Sequence, residues 1–188
     1  MRTKILIPLL VSLLLLVFSG CQSPWQPGGQ TYTSHTGAFT ALVPAGWMFA
    51  ELPPGHVLAT KDGIILQRIE IRTLELKDPL PGSKRVLRAD MTPFEIAEAV
   101  VDDLKADHGL LGLEVVENQP TEVAGRPGFR ITITFHTEDN LRLTQSGYGV
   151  VDGPKLYVIS YIAPTRYYFD RDRETFEAAV KSFHLGAK

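Results

Sequence analysis

The stretch FRITITFHTEDNLRLTQSGYGVVDGPKLYVISYIA, residues 129–163, decides the fold. Its first part alternates apolar and polar residues, which is typical of a strand with one buried face; the apolar ones are Phe129, Ile131, Ile133 and Phe135. Asp139-Asn140 and Asp152-Gly153-Pro154 then predict two tight turns, so that two further antiparallel strands follow. Leu156 to Ile162 is nearly all apolar, which indicates a strand covered on both faces.

Shorter strands with frequent turns are predicted upstream of this stretch. Asp62-Gly63 has the composition of a tight turn, and residues 77–90 contain Pro79, Pro81 and Gly82 and are interpreted as a loop. The strands predicted around these features are Phe39–Val43, Trp47–Leu52, His56–Lys61 and Ile64–Glu75.

Two amphipathic helices complete the predicted elements. Thr92-Pro93-Phe94-Glu95 has the form of a capping box with Pro in the first turn, and it predicts a helix that runs to Gly109. Its apolar face would hold Phe94, Ala97, Val101 and Leu104. A second helix is expected between Arg166 and Phe183, with a stripe formed by Phe169, Phe176, Val180 and Phe183. Strand runs interrupted by two separate helices indicate an α+β fold, a mainly antiparallel sheet flanked by helices.

The overall composition excludes several classes of protein. The chain of 188 residues is 44% hydrophobic and 21% charged, with a formal net charge of −2. These values are typical of a folded globular protein, not of a disordered tail, a collagen-like repeat or a polytopic membrane protein. The Lys and Arg residues form no cluster of the kind that binds nucleic acid, so no nucleic-acid partner is expected.

The first twenty residues have the order of a secretory signal peptide. Arg2 and Lys4 precede an apolar run from Ile5 to Phe18, and small residues follow it. As a helix this run would span roughly 21 Å, short of the ~30 Å hydrocarbon layer of a bilayer. We therefore predict a cleaved signal peptide over residues 1–20 and not a permanent membrane span.

Phe18-Ser19-Gly20-Cys21 resembles the lipobox of bacterial lipoproteins, with Phe18 where the family usually has Leu. The resemblance implies cleavage before Cys21 and its acylation with diacylglyceryl and palmitate groups, which would anchor the protein to a lipid bilayer. Cys21 is also the single cysteine, so no disulfide can form within the chain. The alternatives are a buried free cysteine or an unanchored exported protein that is cut nearby.

The lipoprotein resemblance also implies an address in the bacterial cell envelope. In a Gram-negative cell it would be the outer membrane, facing the periplasm, because Gln22 stands where an Asp would signal retention at the inner membrane. In a Gram-positive cell it would be the outer face of the plasma membrane. Both addresses stay open at this point.

Residues 22–33, QSPWQPGGQTYT, are rich in Gly, Pro and Gln and show no apolar period. This composition is typical of a flexible linker. We therefore expect a lipidated tether over residues 21–34 and a single domain over residues 35–188, because one domain is the default at this length.

The segment from Phe39 through Val43-Pro44-Ala45-Gly46-Trp47 resembles the start of PsbP-like domains. The end of the chain does so as well, where Tyr157–Pro164 is followed by a helix that closes on Lys181-Ser182-Phe183. These domains are the photosystem II extrinsic proteins and their bacterial relatives. The resemblance implies an α/β/α sandwich and a non-catalytic role in binding and supporting larger protein assemblies. No functional residue of the family carries over, so the resemblance implies no cofactor or metal site, and Gly46 and Trp47 are interpreted as structural.

No common catalytic or cofactor motif occurs in the chain, whether H-E-x-x-H, P-loop or nucleophile elbow. The protein is therefore predicted not to be an enzyme. An envelope hydrolase is the alternative, and it would gather His136, Glu138 and Asp139 around a nucleophile. A carrier of a small hydrophobic ligand is a second alternative, which would show an apolar cavity on the order of several hundred Å³ between helix and sheet.

Two kinds of charged group are candidates for further sites, one basic and one acidic. A basic face formed by Arg68, Arg72, Arg130 and Lys155 would bind an anion, although Glu70 favours ordinary cross-strand pairing. Acidic groups on the two helices are interpreted as solvated faces, because neither has the loop that gathers oxygens around calcium; they are Asp102, Asp103 and Asp107, and Asp170, Asp172 and Glu174.

The function that these patterns favour is a membrane-anchored envelope lipoprotein with a protein-binding or assembly-support domain. Such a domain would expose an apolar or aromatic patch without a cluster of titratable groups of shifted pKa. Tyr167-Tyr168-Phe169 is the candidate segment for that patch. Packing of these three residues in the core is the alternative.

Overall fold

The computed structural model describes residues 23–52 and 55–186. In this part of the chain two helices and eleven strands are present. In chain order they are β1 (Gln26–Pro27), β2 (Gln30–Thr33), β3 (Phe39–Val43), β4 (Met48–Leu52), β5 (His56–Thr60), β6 (Arg68–Glu75), α1 (Pro93–Lys105), β7 (Leu111–Val123), β8 (Arg126–His136), β9 (Arg142–Asp152), β10 (Lys155–Pro164), α2 (Tyr168–Lys181) and β11 (His184–Leu185).

The strands form one large and one small sheet. The large sheet has the order β1-β4-β5-β6-β10-β9-β8-β7, and all its neighbouring strands are antiparallel. The small sheet has the order β11-β3-β2, also antiparallel. The predicted α+β class with a mainly antiparallel sheet is confirmed, and the strands predicted from residues 129–163 are β8, β9 and β10.

One face of the large sheet is covered by α2 and the small sheet. Helix α2 contacts β10 and β3, and Phe176 and Phe183 are buried in the aromatic core between these layers. Trp47 lies edge-on to Tyr161, with 6.4 Å between ring centroids. Gly46 precedes it with φ at +77°, a left-handed conformation that favours glycine. The structural interpretation of Gly46 and Trp47 is confirmed.

The other face of the large sheet carries α1, which contacts β7 and β8. The helix begins with a capping box between Thr92 and Glu95, as the sequence predicts. Its buried residues are Ile96, Ala97, Ala99 and Val101, and Leu104 is partly buried. Phe94 was expected on this face, but it is 49% exposed. The helix also ends at Lys105, before the expected Gly109, and residues 107–110 form a turn.

The expected strand Ile64–Glu75 begins only at Arg68. Residues 64–66 instead form a turn, because the backbone N–H groups of Leu66 and Gln67 both donate to the Gly63 carbonyl at 3.0 Å. Gly63 itself has φ at +110°, which a residue with a Cβ rarely adopts. The turn holds Ile64 and Ile65 away from the sheet.

The boundary predicted between tether and domain is wrong at its C-terminal end. Residues 30–33, expected in the tether, form β2 and pair with β3. Tyr32 packs against Phe39 and Phe49, with ring centroids 6.1 Å and 5.6 Å apart, and Ser34 is buried and accepts a hydrogen bond from the Phe39 N–H. Polar residues hide the pattern here because β2 buries one side only. The folded domain therefore begins at β1, not at residue 35.

Candidate functional site

The large sheet has two edges, formed by β1 and by β7. At one edge β1 pairs with β4, with Pro27 opposite Met48. At the other edge, among residues 23–52 and 55–186, β7 has a neighbouring strand on one side only. Seven strand spacings separate the two edges, roughly 34 Å along the sheet. Cys21, the predicted acylation site, lies outside the described residues, and the chain that follows it joins the sheet at the β1 edge.

The turn between β5 and β6 lies close to this N-terminal edge. Met48 pairs with both Pro27 and Thr60, so β1 and the end of β5 are two strand spacings apart, about 10 Å. Ile64 and Ile65 follow Thr60 in the turn. Both are exposed, and Ile65 is 88% exposed. Isolated apolar side chains are ordinary on a protein surface, but two adjacent isoleucines at the tip of a turn are a small apolar patch.

A buried polar network holds this turn in place. The Thr60 hydroxyl donates to the Gln67 carbonyl at 2.7 Å and accepts from the Gly63 N–H at 3.1 Å. The Gln67 amide is fully buried and donates to Asp62 at 2.7 Å and to Asp172 of α2 at 3.1 Å. The turn is thus fastened to the helix behind it.

Arg171 and Asp172 on α2 complete the network. Arg171 contacts Asp62, and its Nη2 lies 2.6 Å from Asp172 Oδ2. Lys61 Nζ lies 3.4 Å from the other oxygen of Asp172. The hydrogen bond from Arg171 lowers the pKa of Asp62 below its ordinary value. Asp172 was expected on a solvated acidic face, but it is 3% exposed, because it compensates the charges that fasten the turn.

Next to the turn, the open part of the α1-side face carries a charged cluster around Glu70. This carboxylate is buried and lies 2.5 Å from Arg68 Nε and 3.0 Å from Arg72 Nε. His56 Nε2 lies 3.8 Å from Glu70. Burial lowers the pKa of His56 below its ordinary value of 6.5, and the charge of Arg72 acts in the same direction. With His56 neutral, two guanidinium groups against one carboxylate leave one net positive charge.

We use the name "β1-side surface" for the exposed side chains around the turn and this cluster. Register places Leu52, His56 and Arg72 side by side, and Met48 beside Thr60, so they lie on one face of three adjacent strands. Arg72 is 54% exposed at its side chain. The exposed members of the surface are Met48, Leu52, Ile64, Ile65 and Arg72, and Arg68 is partly exposed.

The opposite edge of the sheet is strand β7, which we call the free edge. It is 13 residues long and mostly exposed, and its exposed apolar residues are Leu111, Val115 and Val116, the last 63% exposed. Its pairing with β8 shifts register twice, between Leu111 and Glu114 and between Val115 and Glu117. These irregularities explain why the sequence pattern did not predict the strand: the alternation of period two is broken at each shift.

The aromatic segment at residues 167–169 is divided between surface and core. Tyr167 is 64% exposed, whereas Phe169 is partly buried and stacks on Tyr161 with ring centroids 5.4 Å apart. The Arg171 guanidinium lies over Tyr168, 4.8 Å from the ring centroid. The segment therefore contributes one exposed ring and not a continuous patch.

The four basic residues that were expected to gather do not meet. Arg68 and Arg72 both contact Glu70. Arg130 lies on the other face, where it contacts Glu117 and Glu177 at 3.3 Å and 3.6 Å and packs over the Tyr148 ring. Lys155 pairs with Glu75 at 3.6 Å at one end of the sheet. Each cation has a carboxylate neighbour, but only the pairs of Arg130 with Glu117 and of Lys155 with Glu75 join adjacent strands, as expected. The expected cross-strand pairing of Glu70 is wrong, because its two arginine neighbours lie on its own strand, β6.

The structure bears on the two alternative functions, an envelope hydrolase and a carrier of a small hydrophobic ligand. His136 ends β8, and Glu138 and Asp139 lie exposed in the turn that follows. Beneath each helix the described residues leave a cavity of about 20 Å³, lined for example by Val100 and Leu104 under α1 and by Ala179 under α2. A space of this size holds about one water molecule, whereas a groove of about 270 Å³, lined for example by Ile96 of α1 and by Phe129 and Val150 of the sheet, opens beside the start of α1.

Larger spaces are open grooves at the surface. One of about 500 Å³ is lined by His35, Glu51, Glu75 and Lys155, and another of about 570 Å³ lies between the β7–β8 turn and the end of α2. Within residues 23–52 and 55–186, no group of three His, Cys, Asp or Glu side chains is placed to hold a metal ion. In the same residues neither helix has the length and apolarity needed to cross a membrane.

A family model for PsbP matches residues 27–185. The structure is similar to cyanobacterial PsbP (CyanoP) from Synechocystis, with 16% identity, a TM-score of 0.62, and coverage of 90% of this chain and 99% of that one. The Ran-binding protein Mog1p of Saccharomyces cerevisiae aligns at 14% identity and a TM-score of 0.57, covering 85% and 96%. LpqN of Mycobacterium tuberculosis, involved in cell envelope biogenesis, aligns at 12% identity and 0.51, covering 88% and 93%.

No curated protein sequence matches this chain. The family match nevertheless extends from β1 to β11, and the solved structures share the antiparallel sheet and its two helices. The domain start at β1 agrees with the first matched residue, Pro27. The chain therefore belongs to the PsbP family.

Proposed function

We propose that this protein is a bacterial envelope lipoprotein, anchored through acylated Cys21, whose PsbP domain binds another envelope protein and performs no catalysis of its own. The observation that carries the binding role is the free edge: a strand of 13 residues with exposed Val115 and Val116, placed across the sheet from the strand that leads to Cys21. No nucleic acid and no cofactor enters this proposal.

Strand addition explains how the free edge would bind. An edge strand presents unpaired backbone N–H and C=O groups, and a partner strand that pairs with them gains hydrogen bonds along its length. The two register shifts and Pro120, which lacks an N–H, limit how long a continuous pairing can be. This limit protects the protein from indiscriminate aggregation, whereas the exposed valines give a matching partner apolar contact.

The fold relatives support a binding role in the envelope. Mog1p is described as a Ran-binding protein, and LpqN as involved in cell envelope biogenesis. Both are similar in fold only. The lipobox at Phe18-Ser19-Gly20-Cys21 supplies the address, at the outer membrane facing the periplasm in a Gram-negative cell or at the outer face of the plasma membrane in a Gram-positive one.

Site-specific crosslinking in the native cells tests the binding role. A photoreactive amino acid replaces Val116 on the free edge, and in a control chain it replaces the exposed Glu174 on α2. We expect a protein adduct of defined mass from position 116 that is absent from position 174 and that weakens when Val115→Asp is added. Equal adducts from both positions, or none from position 116, would contradict binding through the free edge.

Metabolic labelling tests the anchor separately. Radiolabelled palmitate is expected to enter the wild-type protein and to be absent after Cys21→Ser, with the unacylated protein released from the membrane fraction. Equal labelling of the Cys21→Ser chain would exclude acylation at this residue, and the proposed address would then be lost.

A further inference from the structure

We propose that the β1-side surface lies against the same bilayer that holds the lipid anchor, with Ile64 and Ile65 in the interfacial layer and Arg68 and Arg72 facing anionic headgroups. This inference rests on the anchoring of Cys21 in the proposed function. It adds a protein surface, and an orientation of the domain, to an attachment otherwise made by acyl chains alone.

The length of the connecting chain carries the first step. Because residues 26–27 and 30–33 belong to strands, only five residue steps separate Cys21 from Gln26. Even fully extended they reach about 18 Å. The domain is therefore held at the membrane surface, and the parts of it closest to β1 are the parts that the bilayer meets first.

The position of the exposed isoleucines carries the second step. The turn that bears Ile64 and Ile65 begins after Thr60, which is two strand spacings from Pro27. Met48 and Leu52, both exposed, belong to the strand in between. An apolar side chain that is 88% exposed in water, as Ile65 is, gains free energy when it enters the interfacial region of a bilayer.

The stiffness of the turn carries the third step. Hydrogen bonds to Thr60, Gly63 and Gln67 and the contact between Asp62 and Arg171 hold it against α2. A turn ordered before binding loses little conformational entropy when it meets a surface. The network also neutralises Lys61 with Asp172, so that the charge available to lipid comes from the Arg68, Glu70 and Arg72 cluster.

Charge complementarity favours an anionic lipid surface as the occupant over an uncharged surface. The cluster carries one net positive charge, and Arg72 has more than half of its side chain in solvent. Anionic lipids attract cationic side chains within a Debye length of the surface. The basic group matches the anionic headgroups of such a bilayer, and the exposed isoleucines beside it match the interfacial layer.

Fluorescence in vesicles tests this orientation. The acylated protein with Ile65→Cys, labelled with the environment-sensitive dye NBD, is reconstituted into vesicles of phosphatidylethanolamine and phosphatidylglycerol. The matched control carries the dye at Val116→Cys on the free edge. We expect a blue-shifted emission at position 65 that doxyl-labelled lipids quench, and a water-like, unquenched emission at position 116.

Three outcomes would overturn the inference. They are a water-like emission at position 65, a blue shift there without lipid quenching, which would indicate a protein or a second copy as the occupant, and equal lipid quenching at both positions. The parent chain, which has Cys21 as its single cysteine, serves as a separate check: it takes up dye only if Cys21 is unacylated, which would contradict the proposed function and not the surface.

A second measurement removes the anchor from the comparison. The chain from residue 21 onward with Cys21→Ser is mixed with the same vesicles and separated by flotation. Ile65→Asp is expected to lower the partition coefficient about tenfold or more, and Arg72→Glu is expected to lower it only on vesicles that contain phosphatidylglycerol. Unchanged partitioning in both variants would overturn the role of the surface, and their thermal unfolding midpoints verify that both remain folded.

Discussion

Phe129 of β8 packs its ring directly on Gly149 of β9, so closely that a Cβ built at position 149 would lie 2.0 Å from ring atom Cζ. Gly147, two residues earlier on the same strand, has its nearest such contact at 3.6 Å. Gly147 and Gly149 thus have different roles in the packing of the sheet. Gly149 makes room for the buried Phe129 ring, whereas Gly147 has ordinary space around it.

Gly149→Ala is therefore expected to destabilise the protein and Gly147→Ala to be tolerated. The added methyl group at position 149 would displace the Phe129 ring, and overpacking of this kind costs about 1–3 kcal/mol of unfolding free energy. At position 147 we expect a change within about 0.5 kcal/mol. Urea unfolding of the two variants measures the difference, and equal destabilisation would contradict the packing described.

Asp172→Ala is expected to lower the unfolding free energy by about 1–3 kcal/mol, because it removes an acceptor of the buried Gln67 amide and the carboxylate that Lys61 and Arg171 share. Asp170→Ala on the same helix is the control, since Asp170 is exposed; its effect should stay within about 0.5 kcal/mol. Chemical denaturation of both variants provides the measurement. A similar loss in the two variants would show that the loss of a negative charge near the N-terminus of the helix, and not the network, is responsible.

Stability is expected to fall as the pH drops below about 6.5, the ordinary pKa of histidine, because of His56. Burial and the charge of Arg72 lower the pKa of His56 in the fold, although Glu70 opposes them. As the pH falls, His56 therefore takes up its proton at a higher pH in the unfolded chain than in the folded one. In the pH window between these two pKa values, protonation stabilises the unfolded chain and the unfolding free energy decreases. Above it His56 is neutral in both states and contributes no pH dependence.

The His56→Gln variant checks this assignment through unfolding free energies measured between pH 8 and pH 5, where histidine changes charge. We expect the variant to lose less stability across this range than the wild type. The exposed His35→Gln serves as the control and should keep the wild-type profile. If His56→Gln also keeps that profile, the pH dependence has another origin.

Ile65→Asp is expected to leave the unfolding free energy within about 0.5 kcal/mol of the wild type, whereas Ile71→Asp is expected to lower it by more than about 3 kcal/mol. Ile65 is 88% exposed and Ile71 is 6% exposed, so the same change buries a charge at one position only. Differential scanning calorimetry measures both. A large loss from Ile65→Asp would mean that the turn depends on this side chain for its structure.

The sequence predicted most reliably where apolar periodicity was uninterrupted. The alternation from Phe129 to Phe135 and the apolar run from Leu156 to Ile162 became β8 and β10 at the centre of the sheet. The capping box at Thr92 marked the start of α1 to the residue. In each case the signal is local, since it depends on a short-range repeat or on a side chain that bonds within its own first turn.

Prediction failed where structure depends on distant partners. Strand β2 carries only one partly buried residue, Tyr32, and exists because β3 pairs with it. Asp172 resembles any surface carboxylate in sequence, and its burial follows from Lys61 and Gln67, more than a hundred residues away. The sequence pattern predicts a strand at Ile64 and Ile65 because two β-branched residues follow a turn, whereas Gly63 extends that turn through Leu66.

The brevity of β1 has a mechanical consequence. It is joined to β4 by two residue pairs only, and it is the first part of the domain to bear any load applied through the N-terminal chain. A pull on that chain would unzip these pairs before it reaches β4, lengthening the connection while the aromatic core stays folded. Such a load would then reach the backbone hydrogen bonds of Gly28 to Trp47 and of Gly29 to Val43 before the rest of the domain.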